Sequence, residues 1–201
     1  MTEIERVEWL KTRIGYISAS NMEKVLAKGE GKTRRKYMLQ LIAERTTSIS
    51  SESFQSQVML DGIENEKFAV VWYESQTGLL TDDSKFVIHP TIPMYGASPD
   101  RFIGTDGLLE VKCPIRETYL DYIDTGKIDR GYYLQMQTQL DCTGRKWVDF
   151  LVFSTAYNNG KIVRIERDEK CILEIHSEVE RLNNDIIKYI ELHKEYITIG
   201  A

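Results

Sequence analysis

One polar turn near the middle of the chain joins two short segments that together carry two carboxylates and an amine. The first segment is Ser98–Asp100 and the second is Glu110–Lys112. Between them, apolar residues flank a Thr-Asp-Gly sequence of the kind that closes a β-hairpin. A hairpin here brings Asp100 and Glu110 together on adjacent strands, so this feature constrains both the local fold and the local chemistry.

The register of this hairpin decides which side chains share a face. We expect Ile103 to pair with Leu108 across the turn. Because side chains alternate between the two faces of a strand, Glu110 and Lys112 then point to one side of the sheet. Val111 points to the other side, into the predicted core.

Two neighbouring carboxylates are costly unless a cation or a proton offsets their charge. At about 4 Å they repel by about 4 kcal/mol at an effective dielectric near 20. Mg²⁺ prefers oxygen ligands and keeps several waters, so Asp100, Glu110 and the backbone carbonyl of Val111 are candidate ligands. Lys112 would then orient a water for phosphodiester hydrolysis. A D-x(n)-E-x-K string is also common in ordinary polar hairpins, which keeps a purely structural role open.

Two further features favour the nuclease interpretation. Glu64 lies in an acidic first turn of a predicted helix, where it either adds a carboxylate to the metal site or faces solvent. Gln135, Gln137 and Gln139 alternate along another predicted helix, and buried amides need hydrogen-bond partners. We expect these amides to contact a phosphate backbone or Lys112, unless they form a polar outer face.

Hydrophobic periodicity predicts an α/β fold with a mixed central sheet flanked by helices. We expect one nuclease domain over residues 1–201. A capping box, Ser20 to Glu23, predicts the start of the first helix. The predicted helices are 21–26, 37–47, 59–76, 115–123, 132–143 and 168–196, and the predicted strands are 86–88, 94–97, 101–103, 108–112, 147–154 and 161–166.

Composition narrows the classes of function. A net charge of -5 argues against DNA binding through the whole surface, because phosphate affinity comes from Lys and Arg. The basic segment Lys28–Lys36 is either a local DNA contact or a solvated loop. A charged N-terminus and the lack of a long apolar run predict a cytoplasmic protein without a membrane span.

Cysteine and histidine spacing argues against a second metal centre. The cysteines lack a Cys-x-x-Cys pair, which excludes the usual zinc and iron–sulfur patterns. The histidines are equally scattered, and we interpret them as core or surface residues. These residues are Cys113, Cys142, Cys171, His89, His176 and His193.

Five ordered blocks of the sequence resemble the lambda exonuclease type of viral recombination nuclease, a YqaJ-like branch of the PD-(D/E)xK superfamily. The blocks lie at residues 13–20, 62–68, 97–100, 109–114 and 133–137. Five blocks in matching order are far more specific than the nuclease triplet alone. The segments between Gly29 and Met59 and after Lys170 depart from the family pattern.

The resemblance implies roles for individual residues. Asp100 and Glu110 would be metal ligands and Lys112 the catalytic lysine, while Glu64 and Gln137 would belong to the active site. The residues expected to contact DNA, mainly at the 5′-phosphate, are Arg13, Ser20, Ser98 and Gln135.

The resemblance also implies an activity and its partners. The family degrades one strand of linear duplex DNA in the 5′-to-3′ direction without ATP, which leaves 3′ overhangs for recombination by strand annealing. It uses Mg²⁺, expected here as two ions for which Mn²⁺ can substitute, and works as a homotrimer with a single-strand annealing protein. We therefore expect a phage or prophage exonuclease. The alternatives are a restriction-type or RecB-like nuclease of the same fold and a non-catalytic protein that binds DNA ends.

Overall fold

The computed structural model describes residues 10–27, 31–51 and 57–197, and side chains are described in these ranges except at 57–64. The helices are α1 (Met22–Val25), α2 (Lys32–Thr47), α3 (Gln57–Thr77), α4 (Arg116–Thr125), α5 (Arg130–Thr143) and α6 (Glu169–Leu192). The strands are β1 (Ile17–Ser18), β2 (Thr81–Asp83), β3 (Val87–Ile88), β4 (Tyr95–Ala97), β5 (Arg101–Ile103), β6 (Gly107–Lys112), β7 (Trp147–Ser154) and β8 (Asn159–Glu166).

These strands form two sheets. The larger has the order β2-β5-β6-β7-β8, and the smaller has the order β1-β4-β3. Strands β6 and β7 are parallel, whereas the other neighbours in the larger sheet are antiparallel. A parallel pair needs a crossover connection, which α4 and α5 supply. The predicted mixed α/β fold is confirmed.

The β5–β6 hairpin forms, but its register differs by one residue from the prediction. Ile103 pairs with Gly107, and Leu108 pairs with Phe102. The turn contains three residues, and the first, Gly104, has the positive φ of 50° that glycine adopts without strain. One step beyond the last pair in this register, Asp100 lies opposite Glu110, the residue after Leu109.

Helix α5 lies between two parts of the hydrophobic core. Leu134 packs into a cluster formed with the other helices, and Met136 and Leu140 pack into a cluster formed with the large sheet. The carboxylate of Asp129 caps the start of the helix by accepting the amide of Gly131 at 2.7 Å. Since core surrounds this helix, even its polar side chains are largely enclosed.

Several predicted boundaries are corrected by the structure. Ser20 does not cap α1: Asn21 occupies that position without a side-chain cap, and the Ser20 hydroxyl lies 3.4 Å from that of Ser18. The helix that follows is only four residues long because a 3-10 turn, Ala19–Asn21, precedes it. The edge strands β1 and β2 were not predicted, since two or three residues carry little periodicity.

Two further predictions concern segments that the structure describes only in part: the basic segment and the lack of a membrane span. The basic segment Lys28–Lys36 is described from residue 31 onward, and from Lys32 it belongs to α2. In 10–27, 31–51 and 57–197, no helix has the length and hydropathy needed to cross a membrane.

Candidate active site

The hairpin places the predicted catalytic triplet at the end of β6. Glu110 is 1% exposed, and the Lys112 Nζ lies 2.5 Å from its Oε1. These two side chains share a face because they lie two residues apart on one strand. The carboxylate of Asp100 accepts the backbone amide of Val111 at 2.7 Å. The structure therefore brings the two carboxylates and the lysine together, as the spacing predicts.

Two glutamines from α5 hold the Glu110 carboxylate. Gln135 donates its Nε2 hydrogen to Oε1 at 2.6 Å, and Gln139 donates to Oε2, also at 2.6 Å. Residues four apart lie on the same face of a helix, so both amides reach the same acceptor. Gln135 contacts Glu110 and also lines a large cavity, so its predicted contact with DNA stays a prediction.

Gln137 does not lie with the other predicted site residues. Its Nε2 donates to the carbonyl of Glu166 at 2.9 Å, and its Oε1 accepts the amide of Asp168 at 2.8 Å. Two residues along a helix correspond to a rotation of about 200°, which turns Gln137 away from its neighbouring glutamines. The prediction that Gln137 acts in the active site is therefore corrected: this side chain joins α5 to the connection between β8 and α6.

A third carboxylate, Glu66, was missed in the sequence. Its pKa is raised by burial and by the charge of Glu110, which places it in the same electrostatic environment. Along α3, Glu66 is three residues before Ala69 and seven before Tyr73, both fully buried. This spacing could have identified it as an acidic residue on the inward face of the helix.

Glu64, the acidic residue predicted from this helix, lies within α3, but its side chain is outside the described residues. Its predicted role in the active site stays a prediction.

The electrostatics of the site favour a bound cation. Burial and the charge of Glu110 raise the pKa of Asp100 well above its ordinary value. Burial lowers the pKa of Lys112, but Glu110 and Asp100 outweigh it and the net shift is upward. Among the described residues, the Lys112 ammonium thus faces three acidic groups, those of Asp100, Glu110 and Glu66. Arg101 also acts on Glu66, but the pKa of Glu66 is still raised. A divalent cation would offset the negative charge that these groups carry once they lose their protons.

Unpaired polar atoms at the site also fit a hydrated cation. Within the described part of the chain, the Ser98 hydroxyl and the Gln139 Oε1 are both buried and make no hydrogen bond. The two residues are adjacent, since the Gln139 Nε2 lies 3.4 Å from the Ser98 carbonyl. Carboxylates together with neutral oxygens are the ligand chemistry that Mg²⁺ prefers, so the residues present fit this ion.

A cavity of about 550 Å³ opens beside the triplet. Lys112 and Gln135 lie at this cavity together with the exposed Ser20. The Lys112 ammonium lies 5.0 Å from the centre of the Tyr132 ring on the same wall. The cavity can therefore admit a ligand to Lys112 and Gln135, both of which contact Glu110.

The residues predicted to bind a 5′-phosphate do not all line this cavity. Ser20 does, and Ser98 is adjacent to Gln139. Arg13 lines a different and much smaller cavity, of about 20 Å³, together with Ser18 and Tyr37. The two serines therefore lie near the triplet, whereas Arg13 lines a separate cavity.

A second polar cluster surrounds Asp141 on α5. His89 and His176 each direct Nε2 toward the Asp141 Oδ2, at 3.4 and 2.8 Å. The three ligand atoms lie within 4.8 Å of one another, a spacing that could hold a metal ion. The histidines are scattered in the sequence, but the structure brings two of them together, so their interpretation as core or surface residues must be weighed against a metal site.

The hydrogen bonds of His89 decide between a metal and a proton at this cluster. Its Nδ1 accepts the backbone amides of Thr91 and Ile92, at 3.2 and 2.9 Å. Burial lowers the pKa of His89, so the ring is neutral and its single hydrogen is on Nε2, facing Asp141. A ring nitrogen that carries a hydrogen cannot ligate a metal, which favours a hydrogen-bonded cluster.

Comparison with known proteins identifies the family. The model of the YqaJ-like viral recombinase domain matches residues 8–146, more than half of the chain. An alkaline exonuclease, LHK-Exo from Laribacter hongkongensis, is 36% identical and superposes with a TM-score of 0.87, covering 94% of this chain and 96% of that chain. Its structure in complex with dAMP has a TM-score of 0.88 at the same identity, covering 94% of this chain and 97% of that one.

A more distant relative shows the fold alone. The phage-related exonuclease from Haemophilus somnus 129PT is 14% identical, with a TM-score of 0.65, covering 88% of this chain and 95% of that one. Comparison with curated proteins gave no match. The family model and the 36% identity over nearly the whole length are sufficient: the chain belongs to the YqaJ-like viral recombinase family and is an exonuclease of the phage recombination type.

Proposed function

We propose that this protein is a Mg²⁺-dependent exonuclease that degrades one strand of linear double-stranded DNA in the 5′-to-3′ direction. The observation that carries the proposal is the cluster of Asp100, Glu110 and Lys112, with Glu66 as a further carboxylate. The structure of LHK-Exo with dAMP supports it, because a nucleoside monophosphate is the product expected of an exonuclease.

The residues of the cluster divide the chemistry among themselves. Asp100 and Glu110 hold the divalent cation with Glu66 beside them, and the carbonyl of Val111 remains a candidate ligand. A bound cation supplies Lewis-acid stabilisation of the charge that develops on the phosphate. The raised pKa of Lys112 keeps this side chain protonated, so its ammonium orients the attacking water and stabilises negative charge by hydrogen bonding.

The end preference is proposed to come from Ser20, Ser98 and Arg13. The two serine hydroxyls lie near the triplet and can donate hydrogen bonds to a terminal phosphate. Arg13 is always charged and would act from the neighbouring cavity. Wild-type protein should cut 5′-phosphorylated ends faster than 5′-hydroxyl ends, and Arg13→Ala should slow only the phosphorylated substrate. Equal slowing of both substrates would assign Arg13 to general binding or folding.

The proposed assembly rests on the net charge and on the family resemblance. A chain with a net charge of -5 cannot hold DNA tightly by diffuse attraction, so we propose a ring of subunits that encloses the duplex. The resemblance implies that this ring is a homotrimer. A single-strand annealing protein is the proposed recipient of the 3′ overhang. The location proposed is the cytoplasm of a bacterial host.

The direct test is digestion of 5′-phosphorylated linear duplex DNA with Mg²⁺. We expect mononucleotides from the linear DNA, an intact complementary strand, and no products from closed circles or in the presence of EDTA. Cleavage of the circles would instead indicate an endonuclease of the same fold. Binding to DNA ends without any product would indicate a non-catalytic end-binding protein.

A further inference from the structure

Gln139 is a buried amide that binds the central carboxylate of the site. It is 0% exposed, and its Nε2 lies 2.6 Å from the Glu110 Oε2. Gln135, one helical turn earlier, binds the other oxygen, Oε1. Because each amide holds a different oxygen, the pair fixes the rotation of the carboxylate about its last bond.

The hydrogen bonds on Glu110 leave one direction open. Each carboxylate oxygen has two lone pairs. Among the described residues, Oε1 accepts from both Lys112 and Gln135, whereas Oε2 accepts from Gln139 alone. A lone pair on Oε2 remains, and the bond from Gln139 sets where it points.

The other end of the Gln139 amide lacks a donor. Its Oε1 is buried and makes no hydrogen bond with the described residues, and the same is true of the Ser98 hydroxyl. Reversing the amide would place Oε1 against the Glu110 carboxylate, which repels it. A buried acceptor without a donor is costly, so this orientation favours a ligand that donates a hydrogen bond here.

We propose that Gln139 is a positioning residue of the cation site. Its Nε2 would orient the Glu110 carboxylate for the cation, and its unpaired Oε1 would accept a hydrogen bond from a water that accompanies the ion. Mg²⁺ keeps several waters, so donors accompany the ion. Residues that orient a metal ligand typically contribute 10–100-fold to affinity or activity. The inference rests on the proposed function, since it requires a divalent cation at Glu110.

The test is the Mg²⁺ affinity of Gln139→Met, measured by calorimetric titration without DNA. Methionine has a similar length and volume but neither donates nor accepts a strong hydrogen bond. We expect affinity to fall by about 10–100-fold relative to wild type. Excess Mg²⁺ should restore most of the cleavage rate, because Gln139 acts through Glu110 and not on the DNA.

Gln137→Met is the matched control on the same helix. It removes the hydrogen bonds to Glu166 and Asp168, so it should lower thermal stability and leave Mg²⁺ affinity per folded molecule unchanged. Equal loss of affinity in both variants would indicate general damage to α5 and would overturn the proposal.

Other outcomes separate this inference from the proposed function. If Gln139→Met binds Mg²⁺ as tightly as wild type, the positioning role is wrong and the exonuclease proposal stands. If wild type itself binds no Mg²⁺, both are wrong. Should Gln139→Met not fold, Gln139→Asn gives the same test. Its amide is one methylene too short to reach Glu110, and we expect the same direction of change.

Discussion

Two buried carboxylates near α5, Glu110 and Asp141, illustrate different solutions to the same physical problem. Glu110 shares its site with two other acidic groups, Asp100 and Glu66, and has one ammonium partner. Asp141 stands apart from these acids and accepts hydrogen bonds from several donors around it. Its partners are Tyr95 at 3.2 Å, His176 at 2.8 Å, His89 at 3.4 Å and Arg167 at 3.5 Å.

This difference separates a reactive site from a structural one. A buried carboxylate whose partners offset its charge needs no further ligand, and its hydrogen bonds hold neighbouring elements together. The Asp141 cluster joins α5 to α6 and to the segments around β3 and β4. At the Glu110 cluster the raised pKa values of Asp100 and Glu66 show that the described partners do not offset three negative charges, and a divalent cation would do so. Under the proposed function, cation binding belongs to Glu110, and Asp141 contributes stability.

The largest effect that this comparison predicts is on the chemistry at Lys112. Lys112→Ala should lower the cleavage rate by about 100-fold or more, because it removes the group that orients the water. Mg²⁺ binding should persist, since the carboxylates remain. Single-turnover cleavage and calorimetric titration measure the two properties separately. A variant that retains more than about a tenth of the wild-type rate would contradict a catalytic role for Lys112.

The next effect is a loss of stability at Asp141. Asp141→Asn should lower the free energy of unfolding by about 3 kcal/mol, because it leaves buried donors and a guanidinium without their charged acceptor. Urea denaturation measures this change. Mg²⁺ affinity and cleavage per folded molecule should stay near wild type. Unchanged stability would show that the cluster is not a structural hub.

A smaller effect concerns pH. The pKa of Asp100 is raised on folding, so the folded state holds its proton more tightly than the unfolded chain does. Without Mg²⁺, this group contributes stability that is present at low pH and is lost as pH rises from the ordinary aspartate pKa through the raised one. In the proposed site Mg²⁺ would replace the proton, and its stabilising effect should therefore grow with pH.

Thermal melts with and without Mg²⁺, between about pH 5 and pH 8.5, measure this dependence. Asp100→Asn is the control, in which the increase with pH should shrink. A Mg²⁺ effect that is independent of pH in wild type would show that no proton is displaced from the site.

How much could be predicted from the sequence depends on the range of the interactions. The hairpin that joins Asp100 to Glu110 is local, and the spacing around its turn was sufficient to predict it. The register was wrong by one residue because three turn residues, starting at Gly104, replace the expected turn.

Residues brought in by distant elements were harder to identify. Glu66 was missed because only packing against the sheet defines the inward face of α3, and the role of Glu64 stays a prediction. The alternating glutamines were recognised as unusual, but α5 lies within the core, and the face that meets Glu110 belongs to Gln135 and Gln139 instead of Gln137.

The most direct test of the central claim is divalent-cation titration of three proteins: wild type, Glu110→Gln and Asp141→Asn. If Glu110 belongs to the cation site, Glu110→Gln should lose most Mg²⁺ or Mn²⁺ binding, and Asp141→Asn should bind as wild type does. Loss of binding in Asp141→Asn, with binding retained in Glu110→Gln, would place the cation among His89, Asp141 and His176 and contradict the account.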